Sequence, residues 1–406
     1  MRILGIVVEY NPFHYGHLHH LLQSQQITKP AATVAVMSGC FTQRGEPALV
    51  DKWIRAQMAL ENGVDLVVEL PVAWAIRSAA YFAEGAVRLL AALGVTDICF
   101  GSESGNREAL KRAATVLLDE SPLFQQVLRA ALAEGVSFAS AQDQALQAVD
   151  PSTPKGLFAL PNDTLGIHYI LAIMKHQLSI TPHTILRRSS YHSSDPNSPI
   201  PSAKAVRFAV QEGKAPFGMP SAAAHLLNQA IAADHAPIFW RQFEQPLIYR
   251  LRQLEKQQIL EFPDAGDGLG ERVWRAARRT NVLDELLTLV KTKRFALTRL
   301  QRLLTYVLLD LRQGDLELIA DSQAPPYVRV LAMNTQNMAI RELLRQAKLP
   351  VIFGAGTSEA KDPRVKHCLM VDTAATDCYS LAWKQGSRSG LDWTTPVVTD
   401  RSSARC

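Results

Sequence analysis

Two histidines that flank a glycine form the most informative motif of the chain. They lie in the segment Glu9-Tyr10-Asn11-Pro12-Phe13-His14-Tyr15-Gly16-His17-Leu18, which directly follows an apolar run and directly precedes an amphipathic stretch. A helix that begins here offers free backbone N–H groups and a partial positive charge, which together bind phosphate. Gly16 lets a nucleotide approach the backbone, and the rings of His14 and His17 can donate to charge that develops on an α-phosphate. The motif predicts nucleotide chemistry by positioned donors. The alternative is a helix-starting loop with two surface histidines.

A second segment could bind the departing end of a nucleotide. It reads Pro201-Ser202-Ala203-Lys204-Ala205-Val206-Arg207. Ser202 can cap a helix or donate to a phosphate, and Arg207 can pair with a departing pyrophosphate. Plain helix capping beside a solvated arginine is the alternative. Beside the histidine motif, we favour the phosphate role.

Strands and helices alternate through the first half of the chain. Short β-branched runs at Ile3–Glu9, Thr33–Met37, Val64–Leu70 and Asp97–Phe100 are separated by amphipathic stretches at His17–Gln25, Asp51–Leu60 and Ala79–Leu93. This alternation predicts an α/β, Rossmann-like fold with a parallel sheet and helices on both faces. Ligands of such sheets bind beyond the carboxyl ends of the strands, where the histidine motif lies.

Helical patterns dominate the remainder. Residues 106–149 and Asn162–His176 are helical in pattern, Thr184–Ser189 is a further strand, and Ser202 opens a helix that ends near Gly213. The Pro/Gly cluster Pro216–Pro220 is the candidate domain boundary. We expect an α/β domain over residues 1–215 and a mostly α-helical domain over residues 216–406, with a polar tail from about Thr394.

Basic residues are concentrated in this second half. Between Arg272 and Arg302 there are nine basic residues and two acidic ones, an excess of seven, whereas the chain of 406 residues carries a net charge of +5. Lys and Arg beside Phe295 and Tyr306 suit contacts with RNA, although a solvated basic face is the alternative. The candidate RNA-binding residues are Lys291, Lys293, Arg294, Arg299 and Arg302.

Composition excludes several classes of protein. Hydrophobic residues make up 47% of the chain and charged residues 20%, which excludes a disordered or fibrous chain. No apolar run reaches the roughly 18 residues of a membrane span. Five cysteines, Cys40, Cys99, Cys368, Cys378 and Cys406, lack paired metal spacing. We therefore expect a cytoplasmic protein without disulfides or a zinc site, with Cys40 and Cys99 in the core.

Together the motifs resemble those of the tRNA(Met) cytidine acetate ligase family, within the HIGH-type nucleotidyltransferase superfamily. His14-Tyr15-Gly16-His17 resembles the superfamily signature, and Ser202–Arg207 resembles its second phosphate-binding motif. The closer likeness to the ligase family rests on four segments: Val7–His14 with Gly16-His17, Met37–Gly39 with Phe41–Ala48, Phe100–Ser104 and Pro161–Gly166. It covers most of the first 210 residues and continues more weakly through Lys293–Arg302 and Pro326–Leu331.

The resemblance implies a two-step reaction. Acetate attacks the α-phosphate of ATP, which yields acetyl-adenylate and pyrophosphate, and the acetyl group then passes to N4 of the wobble cytidine of elongator tRNA(Met). ATP, acetate and this tRNA are the implied partners, and neither DNA nor a membrane is expected. Mg²⁺ is expected to be held mainly by the triphosphate.

The resemblance also implies site residues. His14 and His17 are the expected catalytic residues, and Ser202 and Arg207 are the expected pyrophosphate contacts. Arg188 could supply the charge in place of Arg187, and Thr42–Glu46 is either an exposed loop or the border of the acetate and cytidine pocket. The implied ATP-binding residues are Val7, Val8, Glu9, Tyr10, Asn11, Pro12, Phe13, His14, Tyr15, Gly16, His17, Leu18, His19, His20, Gly101, Asn162 and Arg187.

Two other functions fit part of the sequence. A small-molecule adenylyltransferase, acting on nicotinate mononucleotide or phosphopantetheine, would share the histidine motif and the Ser202–Arg207 helix but would not explain the basic segment. A non-catalytic RNA-binding protein with ATP as a structural ligand would bind tRNA and release no pyrophosphate.

Overall fold

A mixed β-sheet is the central element of the computed structural model, which describes residues 1–187, 202–292, 295–320, 324–354 and 362–400. Within these residues the sheet has eight strands. They are β1 (Ile3–Val8), β2 (Ala32–Ser38), β3 (Leu66–Leu70), β4 (Asp97–Ser102), β5 (Thr181–Leu186), β6 (Val328–Met333), β7 (Val351–Ile352) and β8 (Val398–Thr399). The strand order is β5-β4-β1-β2-β3-β6-β7, and β8 pairs with β6 beside β7.

Helices cover both faces of this sheet. They are α1 (Tyr15–Thr28), α2 (Lys52–Glu61), α3 (Val72–Ala75), α4 (Ala79–Ala92), α5 (Arg107–Asp119), α6 (Pro122–Ala133), α7 (Phe138–Val149), α8 (Pro161–Lys175), α9 (Ala203–Gln211), α10 (Ser221–Ala232), α11 (Glu244–Gln253), α12 (Lys256–Ile259), α13 (Leu269–Ala277), α14 (Leu283–Val290), α15 (Leu297–Leu309), α16 (Gln313–Ala320), α17 (Met338–Arg345), α18 (Pro363–Ser380) and α19 (Leu391–Thr394). Short 3₁₀ turns lie at Leu157–Ala159 and Trp240–Phe243.

The five strands β1 to β5 are parallel, as the alternating pattern predicts. The central strands β1 and β2 are largely apolar on both faces because helices cover both sides: every residue of β2 is buried, which is typical of parallel sheets. Strand β5, at the edge of the sheet, is partly exposed. From β1 the chain proceeds through β2 and β3 on one side and then returns to place β4 and β5 on the other. The α/β fold class is therefore confirmed, and the reversal of strand order lies between β1 and β4.

Neighbouring residues of β1 pack into two different hydrophobic cores. Ile3 belongs to a core that α4, α5 and α8 cover, whereas Leu4 and Ile6 belong to a core that α2 and α10 cover. Because successive side chains of a strand point to opposite faces, β1 anchors both layers. The first core continues without a break into α11, α13, α14 and α15, so the helical part packs directly against the sheet.

The chain returns to the sheet after residue 320. Strand β6 pairs antiparallel with β3, and β7 and β8 pair parallel with β6. Residues 216–406 therefore contribute helices and also three strands that extend the sheet of the first half. The domain boundary at residue 215 stays a prediction, but strands from both sides of that residue belong to the same sheet. The expected polar tail also contains β8, which is held at the sheet edge.

The structure also bears on several smaller predictions. Strand β5 begins three residues before Thr184, and residues 188–201, including Arg188, lie outside the described residues. Cys40 and Cys99 are buried as predicted, while Cys406 lies outside the described residues. Among the helices that the structure describes, none combines the length and apolar character that a bilayer crossing requires.

Candidate functional site

A cavity of about 450 Å³ opens at the carboxyl ends of β1, β4 and β5. Glu9 after β1, Gly101 in β4 and Arg187 after β5 all line it. This is the point where the strand order reverses, the usual ligand position in open α/β sheets. The fold thus brings the histidine motif to the place that the strand pattern predicts.

The two motif histidines cap helix α1 reciprocally. His14 is the N-cap residue, and its Nδ1 accepts from the N–H of Gly16 at 2.9 Å. Nδ1 of His17 accepts from the N–H of His14 at 3.3 Å, which completes a capping box. The spacing of three residues puts both rings on one helix face, with their centroids 3.9 Å apart. The motif both starts the helix and fixes the orientation of its own side chains.

Both rings are neutral near pH 7. Burial, aided by the charges of Arg187 and Arg207, lowers the pKa of His14 to about 3. Burial first, and then the neighbouring His14 ring, lower the pKa of His17 well below its usual value. Because each Nδ1 accepts a backbone hydrogen bond, we assign the ring proton to Nε2. Each ring then keeps one N–H donor for a ligand.

Arg207 and Asn11 fix the motif to its neighbours. Asn11 Oδ1 accepts from the N–H of Leu49 at 2.7 Å. Arg207 donates to the carbonyl oxygen of Asn11 at 2.8 Å, and its Nη2 lies 3.7 Å from Glu46 Oε2. Ser202 caps α9 by accepting from the N–H of Ala205 at 3.2 Å. Ser202 and Arg207 both line the cavity, so the second segment meets the first there.

Gly101, Asn162 and Arg187 converge at the other end of the cavity. Arg187 Nη1 donates to Asn162 Oδ1 at 3.4 Å, and a Cβ added to Gly101 would lie 3.4 Å from Arg187 Cγ. The side chain of Asn162 does not cap α8. Instead, Glu103 accepts from the N–H of Asp163 at 2.9 Å and from Asn162 Nδ2 at 2.5 Å. These contacts keep the Asn162 amide at the cavity wall.

A tight hairpin, residues 41–47, forms the side of the cavity next to α15. A β-bridge joins Phe41 to Pro47, and Thr305 of α15 donates to the carbonyl oxygen of Gly45 at 2.6 Å. Gln301 donates to Glu46 Oε1 at 3.1 Å. Thr42, Gln43, Arg44 and Glu46 line the cavity. Helix α15 therefore positions the hairpin, which lies some 250 residues earlier in the chain.

The substitution Gly45→Ala is expected to destabilise the fold. Gly45 has φ +76°, and an added Cβ would lie 2.5 Å from the backbone nitrogen of Arg302. A left-handed alanine alone costs about 1–2 kcal/mol, and the contact with helix backbone adds to this. Gly94→Ala is the matched control, because Gly94 has the same φ of +76° and nothing within 4 Å. Urea unfolding should show a larger loss for Gly45→Ala, and equal losses would contradict the close contact with α15.

Most of the implied ATP-binding residues line the cavity. The lining residues among them are Val7, Val8, Glu9, Tyr10, Asn11, His14, Gly16, His17, His19, His20, Gly101, Asn162 and Arg187. Pro12, Phe13, Tyr15 and Leu18 are not among the lining residues. Phe13 is fully buried in the core beside Tyr10, with ring centroids 4.6 Å apart, and Tyr15 donates its N–H to Gly218. These residues shape the loop rather than the cavity surface.

Sequence reasoning missed one side of the cavity. Phe82, Phe100, Phe158 and Tyr169, here called the aromatic wall, line it on the side of α4 and α8. Each of these residues looks like an ordinary core position, because apolar residues at helical or strand spacing pack inward. Lys204 and Thr298 also line the cavity. Lys204 lies within the Ser202–Arg207 motif, so that motif was the available signal.

The candidate RNA-binding residues differ in their surroundings. Lys291 is exposed, whereas Lys293 and Arg294 lie outside the described residues. Arg299 donates to Asp267 Oδ2 and to Gly266 O, both at 3.0 Å. Arg302 is 8% exposed and donates to Asp264 Oδ2 at 2.7 Å. These two arginines hold the loop at 264–267, so part of the basic excess is paired within the fold.

The geometry indicates what the cavity can do chemically. Neutral N–H donors, a helix N-terminus and the cations of Arg187, Lys204 and Arg207 suit a polyanionic nucleotide. Among the described residues, no three His, Cys, Asp or Glu side chains converge as a metal site would require. The donors and cations that line the cavity suit charge stabilisation by the protein itself.

Comparison with known proteins finds relatives over nearly the whole length of the chain. The model of the family described as HIGH Nucleotidyl Transferase matches residues 1–392. The tRNA(Met) cytidine acetate ligase of Alkaliphilus metalliredigens is 39% identical over 96% of this chain and 96% of that protein. The ligase of the same name from Thermoanaerobacter sp. is 39% identical over 98% of this chain and 100% of that protein.

Solved structures of a relative show the same fold. Thermotoga maritima TmcAL bound with alpha-thio ATP has a TM-score of 0.91 at 32% identity, covering 98% of this chain and 99% of that chain. The apo form of that protein has a TM-score of 0.92 at the same identity and coverage. With the paired histidines at the switch point of the sheet, these matches mean that the chain belongs to the HIGH nucleotidyl transferase family, among the tRNA(Met) cytidine acetate ligases.

Proposed function

We propose that this protein is an ATP-dependent ligase that acetylates N4 of the wobble cytidine of elongator tRNA(Met). The observation that carries the proposal is the pair of neutral rings, His14 and His17, that present Nε2–H groups in a cavity also lined by Ser202, Lys204 and Arg207. The likeness to proteins named tRNA(Met) cytidine acetate ligase over nearly the full chain supports the choice of substrate. A tRNA substrate would place the enzyme in the cytoplasm.

In the first step a carboxylate oxygen of acetate attacks the α-phosphorus of ATP. The new O–P bond forms as the bond to the β-phosphate oxygen breaks, which gives acetyl-adenylate and pyrophosphate. Nε2–H groups of His14 and His17 would stabilise the charge on the α-phosphate oxygens. Ser202 and Arg207 would hold the departing pyrophosphate at the start of α9. No covalent bond to the enzyme is required.

We infer that ATP is a substrate of this chain because a solved relative, Thermotoga maritima TmcAL, was bound with alpha-thio ATP. Gly101 and Asn162 would contact the adenosine, and Arg187 would pair with a phosphate. The described residues contain no cluster that could cage a metal ion. Mg²⁺ would therefore enter with the triphosphate, held by phosphate oxygens and water.

The experiment that tests this proposal measures pyrophosphate release with different acceptors. Purified protein, ATP and Mg²⁺ should support acetate-dependent exchange between ATP and pyrophosphate without any RNA. Nicotinate mononucleotide and phosphopantetheine should give no release above background. Release with either of these and not with acetate would favour the small-molecule adenylyltransferase. ATP binding without any release would favour the non-catalytic RNA-binding protein.

Lys291 is expected to contribute to tRNA binding. It is exposed and precedes α15, whose Thr298 lines the cavity. Lys291→Gln should weaken tRNA binding and lower the slope of log affinity against log salt by about one, because one phosphate contact is lost. Acetate-dependent pyrophosphate exchange should not change. The measurement is filter binding at several salt concentrations.

Lys348→Gln provides the control for that experiment. Lys348 is also exposed, but its N–H donates to the carbonyl oxygen of Ala92, at the end of α4 that faces away from the cavity. This control should bind tRNA like the wild type. An unchanged salt slope for Lys291→Gln would remove Lys291 from the proposed interface.

A further inference from the structure

The cavity has two walls of opposite chemical character. Arg187, Lys204 and Arg207 give one side a positive charge that suits a triphosphate. The aromatic wall of Phe82, Phe100, Phe158 and Tyr169 lines the cavity beside α4 and α8, and each of its members is no more than 5% exposed. Neither phosphate nor acetate gains from four aromatic rings. A planar, uncharged group does, because nucleobases stack on such side chains.

Glu9 brings a carboxylate into the same cavity. Its Oε1 accepts from the N–H of Gln43 at 2.7 Å, and no hydrogen bond from the described part of the chain reaches Oε2. Glu9 and Tyr169 of the aromatic wall both line the cavity, and burial first, then the charge of Glu9, raise the pKa of Tyr169. A carboxylate repels both triphosphate and acetate. Although the resemblance counts Glu9 among the ATP-binding residues, its Oε2 acceptor points to a ligand group that donates hydrogen bonds.

One implied adenosine contact, Gly101, lies across β4 from Phe100 of the aromatic wall, whereas Asn162 lies in α8. Phe100 and Gly101 are neighbours in β4, and neighbouring strand residues point to opposite faces. Gly101 lies beside Arg187, whereas Phe100 packs on Tyr169 with ring centroids 5.5 Å apart. Gly101 and Phe100 therefore offer the cavity two separate surfaces, one on each side of the strand end.

We propose that the aromatic wall receives the wobble cytosine, flipped out of the anticodon stack, and that Glu9 Oε2 accepts from its N4 amino group. This inference rests on the proposed function and deepens it. A carboxylate is the side chain that accepts from cytosine N4, and enzymes that modify a base remove it from its stack and hold it between aromatic or apolar side chains.

Glu9 is then the catalytic base of the second step. The N4 nitrogen attacks the carbonyl carbon of acetyl-adenylate, and a C–N bond forms. The bond between that carbon and the phosphate oxygen breaks, and AMP leaves with the electron pair. The proton released from N4 passes to Glu9 and from there to water. The first step, in which acetate displaces pyrophosphate, releases no proton and needs no base.

A pH dependence follows from the surroundings of Glu9. Burial raises the pKa of Glu9, while the hydrogen bond from Gln43 opposes this effect. A raised pKa brings a carboxylate closer to the operating pH, as base catalysis requires. The rate of acetyl transfer should rise with pH as Glu9 loses its proton and then level off. The charged or titratable groups that face Glu9 are Arg44, Glu46, Arg55, Arg207 and Tyr169.

The test separates the two steps in Glu9→Gln. Glutamine keeps the volume and the acceptor for Gln43 but removes the base. Acetate-dependent pyrophosphate exchange should stay within about threefold of wild type, while single-turnover transfer from preformed acetyl-adenylate to tRNA should fall by about 10²–10⁴-fold. The transfer rate of Glu9→Gln should no longer vary with pH, and Glu9→Asp should retain the pH-dependent limb. Glu84→Gln, outside the cavity, should behave like the wild type.

The possible outcomes distinguish the proposed role of Glu9 from a role in ATP binding and from failure of the proposed function. An equal loss of exchange and transfer in Glu9→Gln would assign Glu9 to ATP binding and overturn the inference. Unchanged transfer would also overturn it. If the wild-type protein exchanges pyrophosphate but never acetylates tRNA, then the proposed function fails, and the role of Glu9 fails with it.

Discussion

Replacing His14 or His17 with asparagine is expected to lower the rate of acetyl-adenylate formation by about 10²–10³-fold, the usual effect of removing one donor to a developing charge. Asparagine can place its Oδ1 where histidine has Nδ1, so the hydrogen bonds that start α1 are preserved. What disappears is the Nε2–H group. Alanine would also remove the cap, which is worth about 0.5–2 kcal/mol, and would confuse a loss of chemistry with a loss of structure.

The measurement is acetate-dependent exchange between ATP and labelled pyrophosphate, followed by tRNA binding for the same variants. Binding of tRNA should remain largely intact. His225→Asn is the control, since His225 is exposed on α10 and far along the chain from the motif. A variant that exchanges pyrophosphate normally but fails to bind tRNA would contradict the assigned roles.

Replacing Lys52 with methionine is expected to destabilise the protein by about 3–5 kcal/mol, the usual cost of leaving buried charges without their partner. Lys52 Nζ is fully buried and lies 2.8 Å from both Glu69 Oε1 and Asp392 Oδ1. Arg329 Nη2 lies 2.6 Å from the same Asp392 oxygen. Burial alone would lower the pKa of Lys52, but the carboxylates of Asp392 and Glu69 outweigh it and hold that pKa above its usual value.

This network joins the two ends of the chain. Glu69 belongs to β3, Arg329 to β6 and Asp392 to α19, so the expected loss should appear as one cooperative transition in guanidinium unfolding. Lys175→Met is the control, because Lys175 is 43% exposed in its pair with Glu84 and such pairs contribute about 0–1 kcal/mol. Similar losses for the two variants would show that the network does not hold the C-terminal strands to the sheet.

The parallel half of the fold could be predicted because its signals are local. The strands β1 to β4 are short β-branched runs, and each is bounded by turn residues. The sequence pattern starts β5 three residues late because Pro182 lies within the strand. Proline argues against a strand unless that strand lies at a sheet edge, as β5 does. Strand β6 was missed because its partners in β3 lie more than 250 residues earlier. Arg329 within β6 also suggests a solvent-exposed position, although its charge is paired with buried carboxylates.

The residues of the site likewise divide into those that local sequence signals predict and those that they do not. The roles of His14, Gly16 and His17 follow from their spacing, because a helix start and its caps are set by neighbouring residues. The pairing of Arg302 with Asp264 could not be predicted from counting charges, since the two residues are distant in sequence. The aromatic wall was hidden for a different reason. A ring that lines a cavity and a ring that fills a core have the same sequence pattern, and only the packing of α4 against α8 distinguishes them.

The most direct test of the central claim follows labelled acetate. Wild-type protein, ATP, Mg²⁺ and elongator tRNA(Met) are incubated with labelled acetate, and the tRNA is then digested to nucleosides. The account predicts that the label is recovered as N4-acetylcytidine, and that it disappears when the wobble cytidine is replaced by uridine. Folded protein that consumes ATP and acetate but leaves the tRNA unlabelled would contradict the account.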